Sequence, residues 1–182
     1  TADSGTAQGT VSFAVDGVAV PGLPAAVVGG KATYVSTDLA VGIHAVAATF
    51  TSASNASFAT SRGTTDETID KASTTTALTC DPSPSVHGQS VTCQAAVTAK
   101  APGGGIPTGT IVFRVDGAVV PGPFPLDGQG GASLTSSSWS TGSHTLSASY
   151  SGSVDHLASV DTIAHRVDKG QSPVDVTCTP NP

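Results

Sequence analysis

The stretch GTVSFAVDGVAVPG, beginning at Gly9, returns as GTIVFRVDGAVVPG, beginning at Gly109. Duplication at such a period means that one supersecondary unit is used more than once, so a single fold has to serve both parts of the chain. Asp16 answers Asp116 and His44 answers His144, at an offset of about one hundred residues that runs without gaps to about Phe50. DKAS at Asp70 and DKGQS at Asp168 mark the two repeat ends. Before Gly109 the second copy carries STTTALTCDPSPSVHGQSVTCQAAVTA, for which the first copy has no counterpart. Near the end, SPVDVTCTPNP from Ser172 resembles TTTALTCDPSP from Thr74, with Cys178 over Cys80. The expected organisation is a copy lacking its opening strands over 1–71, a complete copy over 72–169, and the opening strand of a third over 170–182.

Alternation sets the local structure. In TIVFRVD, Ile111, Phe113 and Val115 share one face and Val112, Arg114 and Asp116 the other, the two-residue period of a half-buried strand. Val11, Phe13 and Val15 repeat that pattern. His144, Leu146, Ala148 and Tyr150 fall in phase, as do His44, Val46, Ala48 and Phe50. Val91, Cys93, Ala95 and Val97 form another inward set, and Ala132 with Leu134 a further one. DG at Asp16 and Asp116 marks a tight hairpin turn. Low charge, at 11% of residues, with abundant Thr, Val, Ser and Gly suits short strands joined by turns. STTTALTC, SVTCQAAVTA, GTIVFRVD, AVVPG, GASLTSSS, SHTLSASY and DTIAHRVD count about seven strands in roughly 100 residues, so the predicted class is all-β, as tandem immunoglobulin-like β-sandwich repeats. No inter-sheet Cys pair brackets a strand Trp as in antibody domains.

Charge and hydropathy exclude two kinds of partner. A net charge of −6 with seven scattered Lys and Arg offers no basic stripe, which argues against nucleic acid. The most apolar stretch, LAVGIHAVAATF from Leu39, is far shorter than the roughly 20 residues of a membrane helix. No charged and then apolar leader opens the sequence, so a signal peptide is expected to lie upstream or to have been removed.

STTTALTCDPSPSVHGQSVTCQAAVTA, PTGTIVFRVDG, GGASLTSSSWSTGSHTLSASYSGS and VDKG together resemble the bacterial Ig-like domain repeats of large secreted and surface proteins. The resemblance covers the second copy throughout, the first from about Gly9, and the third only in its opening strand. It implies Ig-like modules outside the cell that serve as stalk, spacer or adhesin, with neighbouring repeats of the same chain as partners and no catalytic residues to carry over. The Cys pair departs from the usual pattern of such repeats.

Cys80 and Cys93 lie on consecutive strands in phase with the inward faces, so a disulfide is geometrically feasible, the alternative being two reduced buried thiols. Cys178 is expected to be unpaired. Zinc is disfavoured, since no second Cys pair or His set completes a tetrahedral site. His44 and His144 are the most tempting catalytic candidates, but no GxSxG elbow holds a nucleophile near them, and they read as structural residues at a strand entry. His87, His156 and His165 read as surface residues. Trp139 occupies the slot of Leu39 and is expected to plug the end of the core, the sharper alternative being an exposed platform for a sugar. Asp155, aligned roughly with Asn55, supplies too few oxygens for calcium. NAS at Asn55 matches the glycosylation sequon as a pattern. STTT at Ser73 reads as a linker and SRGTTDET at Ser61 as a terminal strand, and Thr-rich segments of this kind can carry O-glycans. No catalytic, cofactor or metal residue is assigned. The expected function is a non-enzymatic stalk or spacer, with adhesion to carbohydrate or protein through loops such as KAPGGGIP, or through Trp139, as the alternative.

Overall fold

The computed structural model describes residues 7–22, 24–53 and 58–178. All regular structure among them is β, and the chain divides into two compact units, Thr1–Asp70 and Lys71–Pro182.

The first unit contains β1 (Gly9–Val15), β2 (Val18–Ala19), β3 (Ala25–Ala26), β4 (Gly42–Ser52) and β5 (Ser61–Ile69). They form one sheet in the order β2-β1-β4-β5, with β3 also paired to β1, and every pairing is antiparallel. The β1–β2 hairpin turns at Asp16 and Gly17, whose φ values of 50° and 80° are the left-handed pair a two-residue primed turn requires.

The second unit contains β6 (Thr74–Asp81), β7 (Ser85–Val86), β8 (Val91–Ala99), β9 (Thr110–Val115), β10 (Ala118–Val119), β11 (Phe124–Pro125), β12 (Gly131–Ser136), β13 (Gly142–Tyr150) and β14 (Ser159–Asp168). One sheet runs β10-β9-β13-β14-β7 with β11 on β9, and the other runs β12-β8-β6. Only β7 is parallel to its neighbour, β14. Leu78, Val91, Cys93, Ala95, Val97 and Leu134 from the small sheet meet Ile111, Phe113, Leu146, Ala148 and Tyr150 from the large one. This two-layer packing is the immunoglobulin-like sandwich that the alternating pattern predicts. Side chains also join the sheets: Thr74 Oγ1 bonds Ser159 Oγ at 2.8 Å, and the Leu78 N–H donates to Asp161 Oδ2 at 2.8 Å.

Equivalent strands fare differently in the two units. Phe113 is 1% exposed, whereas Phe13, its counterpart, is only half-buried, as are Val11, Val46, Ala48 and Phe50. The described residues of the first unit contain no equivalent of β6, β7 or β8. The stretch matching β12 makes only an isolated bridge between Val28 and Lys31, because β12 pairs along all of its length with β8. Tyr34, the counterpart of Leu134, still covers part of the face by stacking on Phe13 at 5.6 Å between ring centres.

Several sequence expectations change. AVVPG yields only the two-residue β10, while β7 and β11 are further short strands that composition did not reveal. The gapless offset slips by one residue at β3, since Ala25 pairs with Val11 but Phe124 pairs with Ile111. STTT is not a linker: its last three residues open β6, where Thr74 and Thr76 are buried and their hydroxyls bond to Ser159 at 2.8 and 2.7 Å, while Ser73 and Thr75 stay exposed. Upstream of it, Lys71 and Ala72 already belong to the second unit, through the Lys71 ammonium on the Ser153 carbonyl and a bridge from Ala72 to His156. Residues 170–178 form no strand, and Val174 and Val176 stand exposed.

Candidate functional site

The feature built alike in both units is a histidine turn. The hairpin turn places Asp116 at φ 51°, beside the first residues of β13. Its Oδ1 accepts the Thr145 N–H at 2.8 Å and its Oδ2 lies 2.7 Å from His144 Nδ1. His144 Nε2 lies 2.8 Å from the Ser140 carbonyl. In the first unit Asp16 Oδ1 accepts the Ala45 N–H at 2.9 Å, Asp16 Oδ2 lies 2.7 Å from His44 Nδ1, and His44 Nε2 lies 2.9 Å from the Ala40 carbonyl.

Both ring nitrogens therefore face acceptors. A neutral imidazole has one N–H, so only the imidazolium satisfies both contacts. The Ser140 carbonyl, followed by Asp116, raises the pKa of His144, while Asp16, followed by the Ala40 carbonyl, raises that of His44. The bonds from His44 and Ala45 hold Asp16 below the usual carboxylate value, as those from His144 and Thr145 do Asp116. A histidine engaged on both sides has no nitrogen left to take a proton from a nucleophile. The arrangement fixes a hairpin turn to the entry of the neighbouring long strand. The signal for it was in the sequence: the Asp–His spacing of 28 residues recurs in both copies.

Two histidines expected at the surface are buried. His156, in the loop before β14, bonds Ser153 Oγ through Nδ1 and the Gly104 carbonyl through Nε2, where the loop between β8 and β9 packs on its ring. His165 points inward from β14, in phase with Val167, and its Nε2 lies 2.9 Å from Ser85 Oγ. His87 is exposed, with Nδ1 3.2 Å from the Trp139 carbonyl.

Trp139 is half-buried against the core, edge-on to His165 at 5.3 Å between ring centres and tilted over His144 at 6.4 Å. It also borders a shallow groove of about 300 Å³ with Val119, Val120, Pro121 and Leu134. Cys80 and Cys93 are direct cross-strand partners on β6 and β8, with Cα atoms 4.0 Å apart, and form a disulfide. Cys178 is exposed and carries no bridge. Among the described residues no three His, Cys, Asp or Glu side chains converge as a metal site, and no helix is long and apolar enough to cross a membrane. Asn55, with its sequon and its alignment to Asp155, lies outside the described residues.

The two-sheet packing of the second unit defines an immunoglobulin-like β-sandwich protein. The family model described as bacterial Ig-like domain (group 3) matches residues 78–168, half of the chain, and the chain belongs to that family. Among solved structures it is similar to the fibronectin(III)-like modules of Clostridium thermocellum CbhA, at 18% identity over 98% of this chain and 88% of that one, with a TM-score of 0.43. It is also similar to the full ectodomain (Ig1–Ig3) of mouse nectin-like molecule 4, at 16% identity over 91% of this chain and 56% of that one, with a TM-score of 0.37. No curated protein matches the chain.

Proposed function

We propose that the chain is a stalk or spacer segment of a secreted or cell-surface bacterial protein, in which 1–71 and 72–169 are two copies of one Ig-like module and 170–182 opens a third. The carrying observation is what the two units share. They keep the same central sheet and the same histidine turn, whereas the disulfide has no cysteines to match it in the first unit. Repeating the scaffold is what a part that supplies length requires. The Cys80–Cys93 bridge supports an oxidising compartment outside the cytoplasm. Small-angle scattering on polypeptides carrying one, two and three copies of residues 72–169 tests the reading. Equal increments in maximum dimension support a spacer, and a dimension that fails to grow with copy number overturns it.

A second reading, adhesion, rests on the apolar groove that Trp139 shares with Leu134 and Val119. Binding on a glycan or protein array that disappears in Trp139→Ala favours it; binding unchanged in that variant removes this groove as the contact.

A further inference from the structure

We propose that the Trp139 end of the second unit is a proton-operated latch, in which His144 carries the charge, His165 is kept neutral, and a proton placed on His165 releases β7 from β14.

The two imidazoles are direct cross-strand partners on β13 and β14. Their surroundings differ sharply. His144 has an acceptor on each nitrogen, Asp116 and the Ser140 carbonyl. His165 is 1% exposed, its Nε2 meets only the hydroxyl of the equally buried Ser85, and its Nδ1 has no hydrogen-bond partner. The first proton therefore goes to His144, and that charge then opposes a second one across the strand pair. Burial, followed by the His144 charge, depresses the pKa of His165.

The remaining neighbours do not offset a second charge. Trp139, from the loop before β13, packs against His165 with 5.3 Å between ring centres and carries no charge. Asp116, from the β9–β10 turn, is spent on His144 and Thr145. His87, in the turn after β7, bonds the Trp139 carbonyl and offers no negative charge. On β14, Arg166 and Asp168 pair with each other at 2.6 Å. Among the described residues no carboxylate forms an ion pair with His165.

A protonated His165 would carry a buried N–H with no acceptor, which is costly unless water reaches it. The most weakly held element over it is β7, attached to β14 by a two-residue parallel pairing, by the His87 N–H on the Asp168 carbonyl at 2.8 Å, and by the Ser85–His165 bond itself. Lifting β7 removes the Ser85 cover and opens the His165 ring to water. The sign follows from linkage: a histidine whose folded pKa is depressed binds fewer protons than in the open state, so the closed form loses stability as pH falls from 6.5 toward that folded value. The first unit lacks the device, because Glu67 stands across from His44 where His165 stands across from His144.

The test uses the full chain and its one tryptophan. Between pH 8 and 4, the His165 ring resonance should titrate below 6.5. With it, Trp139 emission should shift to longer wavelength, and exchange of the His87 amide should gain up to about tenfold per pH unit beyond its intrinsic pH dependence. His144→Gln should move the His165 midpoint upward, and His165→Gln should abolish the emission transition. A His165 resonance that titrates at or above 6.5, a His87 amide that does not respond, or an emission transition unchanged in His165→Gln overturns the latch. Should His165→Gln fail to fold, the wild-type resonance and exchange decide.

Discussion

His144 Nδ1 and Asp116 Oδ2 lie 2.7 Å apart, and the same separation joins His44 to Asp16 in the first unit. One contact built twice in one chain makes the pH response of each unit a matter of its neighbours. The raised His44 and His144 contribute stability that is fully present below 6.5 and lost as pH rises through their folded values. The lowered Asp16 and Asp116 contribute stability that is present above 3.8 and lost as pH falls through theirs. Both partners therefore contribute fully between pH 3.8 and 6.5. Asp16→Asn is the cleaner probe, since no second histidine faces His44. Its melting temperature should fall below wild type most within that window and least at pH 9; a deficit independent of pH would argue against a charged pair.

The Cys80–Cys93 bridge closes a short loop, with a sequence separation of 13. Loop entropy assigns such a closure about 3 kcal/mol, or roughly 12–24 °C in melting temperature for a unit of this size. Cys80→Ser with Cys93→Ser should lower the transition of the second unit by that amount under oxidising conditions and leave the first unit unchanged. Mass spectrometry after alkylation should find one labelled cysteine before reduction and three after.

Phe13 and Phe113 hold the same place in equivalent strands but not the same burial. Phe113 packs edge-on to Phe124 at 4.9 Å within the sandwich. Phe113→Ala should cost about 3–5 kcal/mol, the usual penalty for emptying a phenylalanine site in a core. Phe13→Ala should cost clearly less, because Phe13, although stacked on Tyr34, is only half-buried. Denaturant unfolding of the two variants measures the difference, and equal losses would mean that the first face is covered in solution.

Alternation made the core legible because strand geometry alone decides which side chains share a face. Val91, Cys93, Ala95 and Val97 all reach the interior, as do Ile111, Phe113, Leu146 and Tyr150. Cys80 and Cys93 were readable for the same reason. The histidines were not: His156 and His165 are polar and have no histidine counterpart in the first copy. What buries them is tertiary, the loop around Gly104 for His156 and the two-residue strand at Ser85 for His165, with a local turn at Gly152 bringing His156 to that loop. Gly152 shows the local cause, with φ at 87° and the position of a Cβ only 2.9 Å from the His156 carbonyl oxygen. Strands as short as β7 carry no periodicity to read. The histidine turn lay between these cases. Its residues recurred visibly, but which acceptor each nitrogen meets depends on the hairpin register.

Asp161 offers the last test, because it ties the edge of one sheet to the other. β6 is the outer strand of its sheet, and its Leu78 N–H points away from β8 to reach Asp161 Oδ2 at 2.8 Å. The other oxygen accepts the Thr162 N–H at 2.8 Å. Asp161→Ala leaves the Leu78 donor in a buried residue without its partner, which should cost about 1–3 kcal/mol. Asp161→Asn keeps one carbonyl oxygen and should cost less. The first unit supplies the control: Gly63 pairs with Ala48 as Asp161 pairs with Ala148, and no β6 equivalent is described there to be tied. Gly63→Asp should therefore bring no gain in the stability of the first unit. An unpaired edge donor also invites pairing with another chain, so sedimentation of Asp161→Ala should show more self-association than wild type. If Asp161→Ala melts like wild type and self-associates no more than it does, the Leu78 donor is satisfied by water and the side chain does not join the sheets.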